Sequence, residues 1–130
     1  MKEAFTETLR LTFDGKFLTC ELLGDVVINV EHAEIDYEAS KKITEGKKFL
    51  SLVLASKHTS ITREAQKSSM KKEKYEKVIA QAIVIRSLAQ RILGNFMILF
   101  IRYPCPAQLF NSKEQAVKWL NLQWKNAGLN

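Results

Sequence analysis

Histidine, cysteine, proline and glycine are all scarce in this chain of 130 residues, which holds two, two, two and five of them. So few prolines and glycines exclude a collagen-like or linker-like chain. What remains is an ordinary globular composition, 46% hydrophobic and 26% charged. Two cysteines, Cys20 and Cys105, do not make the disulfide framework of a small secreted domain. They read as free thiols in a reducing cytosol. The start, Met1-Lys2-Glu3-Ala4-Phe5, lacks the apolar core of a signal peptide. The most apolar stretch, Ile92 to Ile101, is interrupted by Gly94 and Asn95 and is too short to span a bilayer. The expectation is a single cytoplasmic domain over 1–130 with no membrane span.

The same scarcities empty the list of chemistry. His32 and His58 stand on different loops, and no Cys-x-x-Cys or His-x-x-x-His spacing occurs, so no metal site is expected. No glycine-rich phosphate loop or dinucleotide fingerprint is present, so no cofactor is expected. Asp36 and Glu38 suit a helix start better than acid–base work. Cys105, between Pro104 and Pro106, reads as a small apolar residue in a rigid turn, and Cys20 as an inward-facing strand residue. No catalytic residue is named, and the chain is not read as an enzyme.

What is present is pattern. Thr8 to Phe13 alternates, Asp14-Gly15 makes a hairpin turn, and Phe17 to Leu23 returns. Gly24-Asp25 turns the chain again into a short strand over 26–30. The period then changes: Ile35, Ala39 and Ile43 share a helix face over 37–45, with Asp36 as N-cap and Gly46 as the stop. Lys48 to Ala55 and Val78 to Ile85 are nearly continuous apolar runs, the mark of central strands buried on both faces. Thr62 caps a helix to about Lys72. Ser87 and Gln90 form a capping box for the helix over 88–101, whose predicted buried stripe is Leu88, Ile92, Phe96 and Leu99 or Phe100. Ala107 to Phe110 reads as an edge strand. A last helix after Ser112 sets Val117, Leu120 and Trp124 on one side, with Trp119 beside them. Both tryptophans read as core and core rim, Trp124 being the better interface anchor. The expected fold is α/β, an α+β mixed sheet. An antiparallel N-terminal meander precedes βαβαβα units, giving five to six strands and four helices.

This pattern resembles the small bacterial SpoIIAA-like proteins, relatives of the STAS domains of anti-sigma-factor antagonists. The residues that carry the resemblance are Ile35-Asp36-Tyr37-Glu38-Ala39, Gly46-Lys47-Lys48-Phe49, and Ala80 to Ile85 leading into Ser87. Pro104 to Phe110 and Ala116 to Leu120 complete it, so the likeness covers roughly 17–125. It implies a regulatory or protein-interaction module with a protein partner, and homodimerisation is one form of that. The best-known relatives carry a phosphorylatable serine after a central strand. Ser56, His58, Thr59, Ser60 and Thr62 occupy that region here, without the Asp-Ser-Ser-Gly signature. Related Sec14-type domains bind lipids in an apolar pocket. The alternative expectation is therefore a small-ligand domain for a lipid or anionic metabolite, with its pocket near the 88–101 helix.

The net charge is +6. Its densest run places Lys67, Lys71, Lys72, Lys74 and Lys77 around Tyr75 as a candidate patch for an anionic partner. Nucleic-acid recognition usually adds arginine and interleaved aromatics, so a nucleic-acid partner is the weakest reading.

Overall fold

The computed structural model describes residues 1–100 and 103–129, the side chain of Phe100 excepted. Ile101, the last position of the expected helix, lies outside them. A six-stranded mixed sheet runs in the order β1 (Lys2–Phe5), β2 (Leu9–Phe13), β3 (Phe17–Leu22), β5 (Phe49–Leu54), β7 (Val78–Val84), β8 (Ala107–Phe110). The first three strands pair antiparallel, and β3, β5, β7 and β8 pair parallel. Four α-helices complete the α/β fold: α1 (Val30–Thr44), α2 (Arg63–Ser69), α3 (Leu88–Phe100) and α4 (Lys113–Asn126). No described helix is long and apolar enough to cross a membrane.

The meander is antiparallel as expected, but its members differ. Lys2–Phe5 supplies a strand, and the expected strand over 26–30 shrinks to β4 (Val27–Ile28), outside the main sheet. There it pairs with β6 (Ser60–Ile61), which ties the segment after β3 to the segment after β5.

Helix α1 begins seven residues before the expected start. Asn29 is the N-cap: its side chain accepts from the His32 N–H at 2.8 Å, and the His32 imidazole accepts the Asn29 N–H at 3.2 Å. The first turn carries no apolar stripe, so periodicity could not reveal it. Asp36 is therefore no cap. It lies inside the helix and accepts two hydroxyls, from Thr6 and Thr8, each at 2.6 Å. Those bonds strap the β1–β2 turn to α1. Glu45 and Gly46 follow with φ of 53° and 74°, so Gly46 sits in the left-handed stop that was expected of it.

Alternation along the central strands divides the interior in two. Leu50, Leu52, Ala80, Ala82 and Val84 face α4 and pack on Ala116 and Leu120. Leu9, Leu18, Cys20, Leu22 and Phe49 face the other way, toward α1. Trp124 sits at the rim of the α4 layer, its ring under the Lys16 ammonium at 5.3 Å. Its indole N–H is buried without a hydrogen-bond partner, a liability of about 1–3 kcal/mol.

Two substitutions check this packing by urea unfolding followed by circular dichroism. Asp36→Ala should cost about 2 kcal/mol, because two hydroxyls lose a charged acceptor. Trp124→Phe should stay within about 1 kcal/mol of the parent, because loss of the orphan donor offsets the packing lost with the smaller aromatic ring.

Candidate functional site

The face of the sheet opposite α4 is incompletely filled. A cavity of about 340 Å³ lies between β3, β5 and β7 on one side and α1 and α3 on the other. Its apolar walls include Leu18, Leu22, Val53, Ile83, Leu93 and Met97. A bulge shapes its floor. Phe49 pairs with Val78 but Leu50 with Ala80, so one residue of β7 is looped out and both Val78 and Gln81 line the cavity.

The floor is polar where two central strands run side by side. Ser51 Oγ donates to Gln81 Oε1 at 3.3 Å, and Gln81 Nε2 donates to Tyr103 Oη at 2.8 Å. The Tyr75 ring meets Tyr103 edge-on at 5.8 Å. Tyr75 ends a 3-10 turn over Lys72–Tyr75, and Tyr103 stands just before the Pro104-Cys105-Pro106 segment. These four residues come from four separate parts of the chain.

Burial dominates the protonation of these groups. It pushes Tyr75 far above the ordinary phenol range, with Tyr103 adding to the effect. It pushes Tyr103 up to about 12, against the lowering bond from Tyr75. It pushes the Cys20 thiol to about 12, with the Asp36 charge adding to it, and Cys105 to about 12 against a bond from the Gln81 backbone. All four are therefore protonated at neutral pH. Cys20, Tyr75 and Tyr103 therefore line the cavity as neutral groups, none of them a thiolate or phenolate nucleophile.

Lysine enters this site from an unexpected direction. Lys74, one of the five residues of the expected anionic-partner patch, turns inward and lines the cavity with its side chain 8% exposed. Its ammonium donates to Glu34 Oε1 at 2.7 Å and Ser68 Oγ at 3.0 Å, and lies 5.3 Å over the Tyr37 ring. The Lys74 bond, helped by Ser68, holds the Glu34 carboxyl below its usual range. Lys67, Lys71, Lys72 and Lys77 stay exposed. The patch therefore holds four exposed lysines, because the fifth is drawn in by a carboxylate and an aromatic ring that α1 brings near.

The Ser56–Thr62 loop forms part of the cavity rim, where Thr59 and Ser60 line it. Ser56 Oγ donates to the Gly24 carbonyl at 2.6 Å and is paired with Thr59 Oγ1. Thr62 caps α2 by accepting the Ala65 N–H at 3.1 Å, as its position predicted. Ser60 and His58 are exposed. Gln90 of α3 holds the loop: its Nε2 donates to the carbonyls of Ser56 at 2.7 Å and Thr59 at 3.2 Å, while its Oε1 accepts the Arg86 N–H at 2.7 Å. The expected box at Ser87 is thus half realised. Ser87 Oγ accepts the Gln90 N–H at 3.2 Å, but the Gln90 side chain serves the loop.

The stripe expected to be buried on α3 is its outer face. Leu88, Ile92, Phe96 and Leu99 are 72%, 62%, 51% and 72% exposed. Leu93, Gly94 and Met97 face inward instead. Gly94 decides this: a Cβ there would stand 2.8 Å from the Leu109 methyls, so the helix seats against β8 on its glycine side. Both stripes are apolar, and periodicity alone could not rank them.

Residues 11–123 match the family described as a domain of unknown function, DUF7793. The chain belongs to that family. No curated protein and no solved structure matches it significantly. Among the described residues of this DUF7793 domain, no group of three or more His, Cys, Asp or Glu side chains could hold a metal ion.

The buried acids set a pH dependence. Their folded pKa values lie above the unfolded ones, so their contribution is complete below about pH 8.5, where an unfolded thiol ionises, and is lost as pH rises toward 12. The urea midpoint should fall steadily over that window. An unchanged midpoint between pH 8.5 and 11 would show that these groups are already exposed.

Proposed function

We propose that this protein is a non-catalytic, STAS-like binding domain whose cavity holds one small, largely apolar molecule with a single hydrogen-bonding end. The cavity itself carries this reading. Ligand pockets are commonly apolar hollows with a few convergent polar groups and volumes from about 300 Å³ upward. A cavity of about 340 Å³ lined by aliphatic side chains, with Ser51, Gln81, Tyr75 and Tyr103 meeting on its floor, has that composition. Its volume suits one compact molecule rather than a two-chain phospholipid. The polar end of the guest would meet Ser51 and the tyrosine pair. The third ammonium proton of Lys74 is a further donor, because Glu34 and Ser68 take only two. Glu34 also compensates that charge, which favours a neutral oxygen function over a full anion. Two free thiols fit a cytoplasmic setting.

A second reading, a regulatory module with a protein partner, follows from the SpoIIAA-like resemblance. It would present the rim loop, where Lys57, His58 and Ser60 are the exposed residues. The internal pairing of Ser56 with Thr59 and Gly24 gives the cavity the stronger support.

Native mass spectrometry of freshly purified protein should show a bound small molecule. Titration with the neutral fluorophore N-phenyl-1-naphthylamine should show saturable binding that Ile83→Trp, placed to fill the cavity, weakens by at least about tenfold. Absence of any co-purified mass together with non-saturable dye binding would refute the proposal.

A further inference from the structure

We infer that the outer face of α3 seats this protein on an anionic membrane surface. The first observation is the exposed apolar stripe. Leu88, Ile92 and Leu99 are each more than 60% exposed on one helix, with Phe96 half exposed among them. Between Leu88 and Phe100 the helix carries one charged residue, Arg91. A side of this kind lying on water is costly, and such faces mark contact surfaces.

The second observation is the charge around it. From Lys77 to Lys113 the chain contains no aspartate or glutamate. At the start of α3, Arg86, Ser87, Leu88, Arg91 and Asn111 line a shallow surface notch. The Arg91 guanidinium donates to the neutral Asn111 carbonyl at 2.5 Å, so its charge is not compensated there. Among the described residues, neither arginine forms a salt bridge. Lys57, an exposed cation, belongs to the loop at the same end of α3, where its backbone carbonyl accepts from Gln90 at 3.4 Å. Leu88 belongs to both the notch and the stripe, so the two are continuous.

This order of groups selects the occupant. A second copy would meet the patch through a two-fold axis, which sets the arginines at the start of one helix against the far end of the other, where the segment from Lys77 to Lys113 offers no carboxylate to pair them. A bilayer with anionic lipids offers phosphates to the notch and an acyl boundary to the stripe. Attraction to the headgroups and burial of the apolar face then add. Contact of this kind lies in the interface plane and needs no membrane-spanning helix.

Vesicle co-sedimentation of the full chain tests the inference. Protein should sediment with vesicles of phosphatidylcholine containing phosphatidylglycerol, and much less with phosphatidylcholine alone. Raising the salt should release it. The double variant Ile92→Ser, Leu99→Ser should lose at least about tenfold in partitioning, and Arg86→Glu with Lys57→Glu severalfold. Both pairs are exposed, so circular dichroism should remain that of the parent. N-phenyl-1-naphthylamine binding in the cavity should persist in the serine variant, which separates a lost docking face from a lost fold. Three outcomes would overturn the inference: no sedimentation with anionic vesicles at low salt, equal binding by the serine variant, or self-association of the parent that the serine variant abolishes.

Discussion

β5 and β7 lie side by side at the centre of the sheet, and each must serve two interiors at once. A strand alternates its side chains, so the residues that fill one layer leave the other to their neighbours. Leu50, Leu52, Ala80 and Ala82 are all but completely buried against α4. The intervening positions on the opposite face include Ser51 and Gln81, which cannot close a hydrophobic layer. The α4 side is accordingly a packed core, and the other side holds a hollow with a hydrogen-bonded floor. Because Ser51 and Gln81 satisfy one another and Tyr103, this polar content is accommodated in the interior.

The elements that roof this hollow are held by polar straps as well as by apolar contacts such as those of Ile43 and Met97. Asp36 gathers the hydroxyls of Thr6 and Thr8, Lys74 joins the 3-10 turn to Glu34 of α1, and Gln90 clasps the rim loop to α3. Each strap uses a side chain that, taken alone, suggested something else: a helix cap, a surface lysine, a reciprocal capping glutamine. Helix α3 is the extreme case. It turns one apolar stripe toward the cavity and leaves another outside, so a single helix relates the interior site to the surface of the protein.

Local signals carried the secondary structure well where one period ruled. The hairpin at Asp14-Gly15, the two central strands, the Gly46 stop, the Thr62 and Ser112 caps and the edge strand Ala107–Phe110 all fall where their residues point. The errors have physical causes. The first turn of α1 is all but stripeless, so the cap at Asn29 was passed over for Asp36. The strand Lys2–Phe5 has three of its four residues exposed, so it shows no clear alternation. Of the site, the rim loop was legible because it follows a central strand, and a pocket near α3 followed from the family resemblance. Gln81, a polar residue inside a buried strand, was the one available clue to the polar floor.

The α/β class, the central position of β5 and β7, the lack of metal-ligand or nucleophile spacing, and the basic excess can all be read along the chain. These follow from composition and from periods of two and 3.6, which are local properties. Which apolar stripe of α3 faces inward, the withdrawal of Lys74 from the surface, and the convergence of Ser51, Gln81, Tyr75 and Tyr103 emerge only when the elements pack together. Those outcomes depend on distances between segments far apart in the chain. The close approach of Gly94 to Leu109 is the clearest instance: a glycine that looked like an interruption sets the orientation of the helix through a contact 15 residues away.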